Sequence, residues 1–224
     1  MQRPSLATLL SFNAGYVDTA GFLALHGLFT AHVTGNFVTL GAALVLGTGG
    51  VIAKLLALPV FCAVVMAARL LHYVLVDRDV RVLRAILLVQ TLLLLLGAAL
   101  AWRYGPFADG DSRTAIATGL VLVAAMAMQN AAQRVHLAKM PPTTLMTGTT
   151  TQIMLDLADK LHGVDGEQKA TVDQRLSRMV TSVGAFALGC AAGAICYHLF
   201  DVKCFLLLPV VALLGFWHRD AAID

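Results

Sequence analysis

Six stretches of this chain, at approximately 6–27, 52–76, 82–101, 114–135, 178–199 and 203–218, stay apolar for close to the length of a bilayer crossing, about 20 residues. Charged residues fall mostly between these stretches, where Lys and Arg set membrane orientation. Of the 224 residues 58% are hydrophobic and only 13% charged, with a mean hydropathy of +0.79. A soluble domain carries about 25% charged residues, so this chain cannot cover itself for water, and lipid is its expected solvent. The fold class is therefore an all-α polytopic membrane protein, a single membrane domain over 1–224, with the lipid bilayer as its first partner.

Composition also excludes several function classes. The net charge of +3 does not gather on one amphipathic face, so no nucleic acid is expected as partner. Cys62, Cys190, Cys196 and Cys204 lie in or at the ends of apolar segments without a CxxC pair; neither a disulfide framework nor a zinc site is indicated. The chain has no GxSxG, no HExxH and no phosphate-binding glycine loop, so nothing recommends an enzyme, and neither a cofactor nor a metal is expected. The first stretch is interrupted by Asn13 and Asp18 with no small-residue cleavage site after it, and is expected to remain as a membrane helix. Trp102 and Trp217 read as interfacial anchors.

Two further stretches, 34–48 and 146–160, are helix-like but short and polar. About 15 residues give roughly 22 Å of helix against a hydrocarbon core of about 30 Å. Charge decides how they are placed. If both are re-entrant, one side of the membrane holds eleven basic residues, Arg3, Arg78, Arg81, Arg84, Arg134, Lys139, Lys160, Lys169, Arg175, Arg178 and Arg219, and the other holds Lys54, Arg103, Arg113 and Lys203. If all eight stretches span, the split is nine to six. The positive-inside rule prefers the first arrangement. The expectation is six transmembrane helices plus two short re-entrant helices, with both termini cytoplasmic and 159–178 a solvated loop.

The chain repeats weakly. Val33-Thr34-Gly35-Asn36 aligns with Met146-Thr147-Gly148-Thr149, and Tyr16-Val17-Asp18-Thr19-Ala20 with Met128-Gln129-Asn130-Ala131-Ala132. Three crossings per half put the second copy upside down, giving an inverted internal repeat with halves at about 6–101 and 114–218. Transporters of this architecture hold their site near the midplane. The candidate substrate-binding residues are Thr34, Gly35, Asn36, Thr147, Gly148 and Thr149 at the two half-helix starts, where Thr caps and Gly turns the chain. Helix N-termini facing each other would attract an anionic or electron-rich solute. Asp18 lies mid-crossing, where a carboxylate needs a partner or a water-filled cavity; Asn130 is its neutral counterpart.

Secondary candidates are His26 and His32, which flank the approach to the first short helix and lack a third ligand at metal spacing; Arg69, which either reaches towards Asp18 or snorkels to the interface; and Gln129 and Gln133, placed with Arg134 at a polar helix end suited to a vestibule. Gly189 and Gly193, at GxxxG spacing, suit helix packing within a protomer or in a homo-oligomer.

The run Asn13-Ala14-Gly15-Tyr16-Val17-Asp18-Thr19-Ala20-Gly21-Phe22, with His32-Val33-Thr34-Gly35-Asn36, resembles the YoaK-like family of bacterial membrane proteins. Gln129-Asn130-Ala131 through Met146-Thr147-Gly148-Thr149 resembles the same family's second signature. The resemblance covers nearly the whole chain and implies a bacterial inner-membrane protein with six crossings; it supplies no activity. The residues themselves point to a small-solute transporter or channel for an unnamed small polar or anionic solute. The rivals are an intramembrane enzyme acting on lipid or isoprenoid through Asp18, His26 and His32, and a non-transporting scaffold.

Overall fold

The computed structural model describes residues 4–76, 81–144, 146–163 and 167–216. Every regular element among them is helical: α1 (Leu6–Ala24), a 3-10 turn (Val33–Gly35), α2 (Asn36–Leu46), α3 (Val51–Val76), α4 (Val82–Tyr104), α5 (Arg113–His136), α6 (Met146–His162), α7 (Glu167–Phe200), a 3-10 stretch (Asp201–Leu207) and α8 (Leu208–Phe216). Among the described residues four stretches are long and apolar enough to cross a membrane: α3, α4, α5, and Gln168–Leu214, which covers most of α7 and runs into α8. Their outer faces expose large apolar side chains such as Leu55, Leu92, Leu188 and Val210, a surface suited to lipid rather than water.

Helix α1, which is not among these four, lies largely buried in the bundle. Its 19 residues span roughly 28 Å, and Ser11, Asn13 and Asp18 along it are buried. Polar side chains are tolerated there because α1 is solvated by protein, not lipid. Serine caps start both inner helices: Ser5 accepts from the Thr8 amide at 3.2 Å, and Ser112 from the Ala115 amide at 3.3 Å.

Glycines set how closely α1 and α7 approach. A Cβ on Gly15 would lie 2.2 Å from the Phe186 carbonyl oxygen, and one on Gly189 would lie 2.1 Å from that of Phe12. Gly193 sits similarly against Tyr16. The GxxxG spacing thus packs a helix pair within the protomer. Contacts climb together from Ser11–Ser182, at 2.7 Å, to Tyr16–Gly193, so α1 and α7 run parallel. Helix α5 is antiparallel to α1, with Gln129 beside Leu10 and Gly119 beside Leu28. Helix α3 packs along α5 in the same direction, His72 meeting His136 near both C-terminal ends at a centroid distance of 5.3 Å. Helices α4 and α5 are antiparallel, joined at Gln90–Gln129 and Gly97–Leu122. Helix α8 packs on α4 and α1, α2 on α3, and α6 on α7.

At one end of the bundle the C-terminal end of α1, the turn after α2 and the start of α3 converge. A Cβ on Gly50 would lie 3.2 Å from that of His26. The Gly50 and Ile52 amides donate to the Asp111 carboxylate at 3.0 and 2.9 Å, which caps α3.

Four boundaries differ from the sequence expectation. Helix α1 stops at Ala24, where the chain turns through His26 and Gly27, both at positive φ. The stretch 203–218 is a 3-10 segment followed by the nine-residue α8; Trp217 lies outside the described residues. Helix α2 starts at Asn36, after the 3-10 turn. From Glu167 onward the expected solvated loop is helix, because its charges pair across to α6. Asp156 takes Arg175 in a two-toothed contact at 2.8 and 2.6 Å, and Lys160 pairs with Asp173.

Two outcomes follow from this packing. Gly189→Val drives a side chain into the Phe12 carbonyl and is expected to destabilise the protein by about 3 kcal/mol, whereas Gly184→Ala, which meets open space, leaves the thermal midpoint unchanged. The Arg175 guanidinium holds the Asp156 carboxyl below its usual range, against the opposing effect of burial. A depressed carboxylate pKa adds stability above the unfolded value of about 3.9 that disappears on acidification. The thermal midpoint should therefore drop more between pH 6 and pH 3 in the native protein than in Arg175→Gln.

Candidate functional site

The chain between α1 and α2 does not stay at the helix end. It folds back to Asp18, six residues before Ala24 and so roughly 9 Å deeper along the helix. Asp18 Oδ1 accepts the Thr30 and Ala31 amides, both at 2.7 Å, and the Thr30 hydroxyl at 3.2 Å; Oδ2 accepts His32 Nδ1 at 2.7 Å. Asn36 holds the same loop from the other side: its Oδ1 accepts the Phe29 amide at 2.9 Å and its Nδ2 donates to the Phe29 carbonyl at 2.7 Å. Two side chains thus supply the hydrogen bonds that this irregular backbone lacks.

The braced loop presents His32, Thr34 and Gly35. Two cavities adjoin it. One, of about 560 Å³, lies between α1 and α7 and is lined by Asp18, Phe22, Phe29, Phe186 and Cys190. The other, of about 390 Å³, lies between α3 and α5 and is lined by Phe61, Val65, Arg69, Asn130, Arg134 and Thr144. His32 and Thr34 wall both. Both volumes fall in the range of about 300–1,000 Å³ typical of small-molecule sites. His32, tethered through Nδ1, stands edge-on to Phe186 at 5.4 Å and to Phe29 at 6.2 Å.

A separate buried polar cluster ties α1, α4 and α5 together. Gln129 Oε1 accepts from Asn13 Nδ2 at 3.0 Å and Gln90 Nε2 at 2.8 Å, while its Nε2 donates to the Leu10 carbonyl at 2.8 Å and the Thr143 hydroxyl at 3.2 Å. Gln133 Nε2 donates to the Leu137 and Met140 carbonyls, closing the end of α5. Both glutamines are buried and serve as ties rather than vestibule walls.

The remaining candidates separate. Arg69 lies 4.6 Å over the Tyr73 ring, and Asp18 takes His32 and backbone donors in its place. His26 is remote from His32 in role: its Nε2 donates to the Phe107 carbonyl at 2.9 Å at the bundle end. Thr34 makes no cap; it is exposed, and Asn36 does the bracing. Asn130 accepts the Thr144 hydroxyl at 3.2 Å. Thr147 lines a distinct shallow concavity with Met146 and Met154, Gly148 faces open space and Thr149 is buried. Neither the α1–α7 nor the α3–α5 cavity is lined by these three. No three metal-ligating side chains cluster among the described residues.

Sequence reasoning passed over Thr30 and Gln90 as support residues, while Arg134, placed at a polar helix end suited to a vestibule, does line the α3–α5 cavity. Gln90 carried a usable signal, since Gln90-Thr91 is the polar interruption in the otherwise apolar run 85–101. Thr30 carried none, because its contact with Asp18 depends on a loop path without periodicity.

The family described as "Protein of unknown function (DUF1275)" matches residues 6–217, in line with the resemblance to YoaK-like proteins. No curated protein and no solved structure matches the chain.

Removing the brace should be read in stability. Asp18→Ala strands the Thr30 and Ala31 amides, at about 1–3 kcal/mol for each buried donor, and is expected to lower the thermal midpoint in detergent. Asn36→Ala is expected to act in the same direction. An unchanged midpoint in both variants would show that the loop does not depend on them.

Proposed function

The chain belongs to the DUF1275 family, and from that premise we propose that it is a small-solute transporter or channel built from two halves inserted in opposite senses. The observation that carries this is the shared wall: His32 and Thr34 bound one cavity between α1 and α7 and another between α3 and α5. A segment placed between two cavities at membrane depth can gate passage from one to the other, and a scaffold has no use for it.

The neighbour relations support the two halves. Exchanging α1 with α5, α2 with α6, α3 with α7 and α4 with α8 turns the α1–α7 contact into α5–α3, α4–α5 into α8–α1, and α2–α3 into α6–α7, all of which occur. In each half a loop folds back onto a polar side chain of the inner helix, Thr30 and Ala31 onto Asp18, Thr144 onto Asn130. The cavities correspond too, with Asp18, Thr19 and Phe186 matched by Asn130, Ala131 and Phe61.

Re-entrance of α2 and α6 fits the helix directions. Helix α1 ends where α3 begins, beside Gly50 and His26, so α2 leaves and returns on one side. Helices α5 and α7 are each aligned with α1, one antiparallel and one parallel, which asks the same of α6. On this reading there are six crossings, α1, α3, α4, α5, α7 and the Asp201–Phe216 segment. The distribution of basic residues supports cytoplasmic termini on this reading, in a bacterial inner membrane.

The rival enzyme reading draws on the Asp18–His32 pair facing a cavity. It is weakened because His26 is committed to Phe107 and because Asp18 is saturated by loop donors.

Two measurements test the proposal. In a cysteine-free background, Thr48→Cys is expected to react with an impermeant thiol reagent from outside intact cells and His162→Cys only after lysis; the reverse pattern, or both on one side, breaks the topology. Proteoliposomes containing the protein should take up at least one solute of a panel of organic anions, polyols and amino acids faster than empty vesicles. Thr34→Trp should reduce that uptake at least tenfold while Thr147→Trp leaves it intact. Equal effects of the two would remove the shared wall from the pathway.

A further inference from the structure

The α3–α5 cavity has an unusual charge balance. Arg69 and Arg134 both line it, and no Asp or Glu does. Among the described residues neither guanidinium pairs with a carboxylate. Arg69 is steadied by the face of Tyr73 at 4.6 Å, a contact that leaves its N–H groups available. The Asn130 amide in the wall can donate. Thr144 gives its hydroxyl proton to Asn130 Oδ1, so the Asn130 amide is oriented by that bond, and its Nδ2 has only a long 3.5 Å contact to the Met126 carbonyl. The nearby carboxylate of Asp18 is consumed by Thr30, Ala31 and His32. His32 and Thr34 complete the polar part of the wall, and the remainder is apolar, with Leu58, Phe61 and Val65 on α3.

Both arginines are exposed, and with no acid in the wall their charges make the cavity net positive, which favours an anion there. Arg pairs favour planar oxyanions, which they can grip with parallel N–H bonds. The apolar α3 wall adds a place for a short hydrocarbon body, and a volume of about 390 Å³ suits one. We propose that the α3–α5 cavity binds a small amphiphilic monocarboxylate, its carboxylate between Arg69 and Arg134 with the Asn130 amide beside it, and its tail along Phe61 and Val65. As a substrate class this rests on the transport reading above; binding itself is measured separately.

The test uses the full chain in nanodiscs of zwitterionic phosphatidylcholine, titrated calorimetrically with hexanoate. Hexanoate is expected to bind, with hexanamide at least tenfold weaker because it lacks the charge and acetate weaker because it lacks the tail. Arg69→Gln and Arg134→Gln should each weaken hexanoate about tenfold or more, the size expected for losing a charge-assisted hydrogen bond, and Arg69→Lys should retain part of the affinity. Val65→Trp should abolish binding by filling the cavity, while thermal midpoints of all variants stay near that of the native protein. Equal binding of hexanoate and hexanamide, or indifference to both Arg substitutions, overturns the proposal. So does hexanoate failing to bind while inorganic phosphate, or phosphatidylglycerol added to the disc, engages the two arginines; the site would then hold a phosphate, free in the first case and a lipid headgroup in the second. Hexanoate binding without hexanoate uptake by proteoliposomes would refute the transport reading alone. Uptake of another solute, insensitive to both Arg substitutions and without hexanoate binding, would refute this site alone.

Discussion

The backbone between Leu25 and Gly35 is largely irregular and lies at the depth of Asp18, and everything at the centre of this protein depends on how its amides are satisfied. Hydrocarbon offers them nothing, and each unpaired group costs several kcal/mol there. Asp18 and Asn36 provide the bonds, one from α1 and the other from the first residue of α2. The same carboxylate fixes His32 through Nδ1. One acid therefore shapes the loop, orients the imidazole and lets Thr34 stand between two cavities. Its charge is used to hold architecture, and the groups left facing the cavities are those it positions.

Close approach of α1 and α7 is the second condition. With Gly15 against Phe186 and Gly189 against Phe12, the two helices meet backbone to backbone, which brings Phe186 and Cys190 to the wall beside Asp18. Helix α5 is held differently, by the Gln129 cluster reaching Asn13 and Gln90. The inner pair of helices is thus fastened to the rest by glycine contact on one flank and by amide hydrogen bonds on the other.

Much of this was legible in the sequence, for physical reasons. Apolar runs near bilayer length located the helices, and the positions of Asp18, Asn36 and Asn130 as polar residues in apolar surroundings singled them out before any geometry. What the sequence withheld was partnership. A carboxylate in a helix can meet an arginine or a loop; Arg69 lay at a plausible spacing, yet the loop donors were closer and need no second buried charge. Thr147 and Gly148 repeat the Thr34-Gly35 pattern, but local pattern does not say which cavity a short helix faces. The charges at 159–178 looked like a solvated loop because ion pairs across α6 and α7 join residues 13 and 19 positions apart, a range that periodicity does not register.

The polarity of α1 bears on how the protein is made. Ser11, Asn13 and Asp18 are comfortable only once neighbouring helices surround them, and the backbone contact at Gly15 is completed by Gly189, which follows it by 174 residues. At about 5–20 residues per second that interval is roughly ten to thirty-five seconds of synthesis. If α1 is one of the crossings proposed above, during that interval it meets the bilayer while its closest companion has not left the ribosome. Such a helix cannot rest alone in lipid as an oily segment can. It needs shelter from the insertion machinery, or from α4 and α5 once these arrive, and the biogenesis of this protein is correspondingly a matter of late assembly rather than helix-by-helix release.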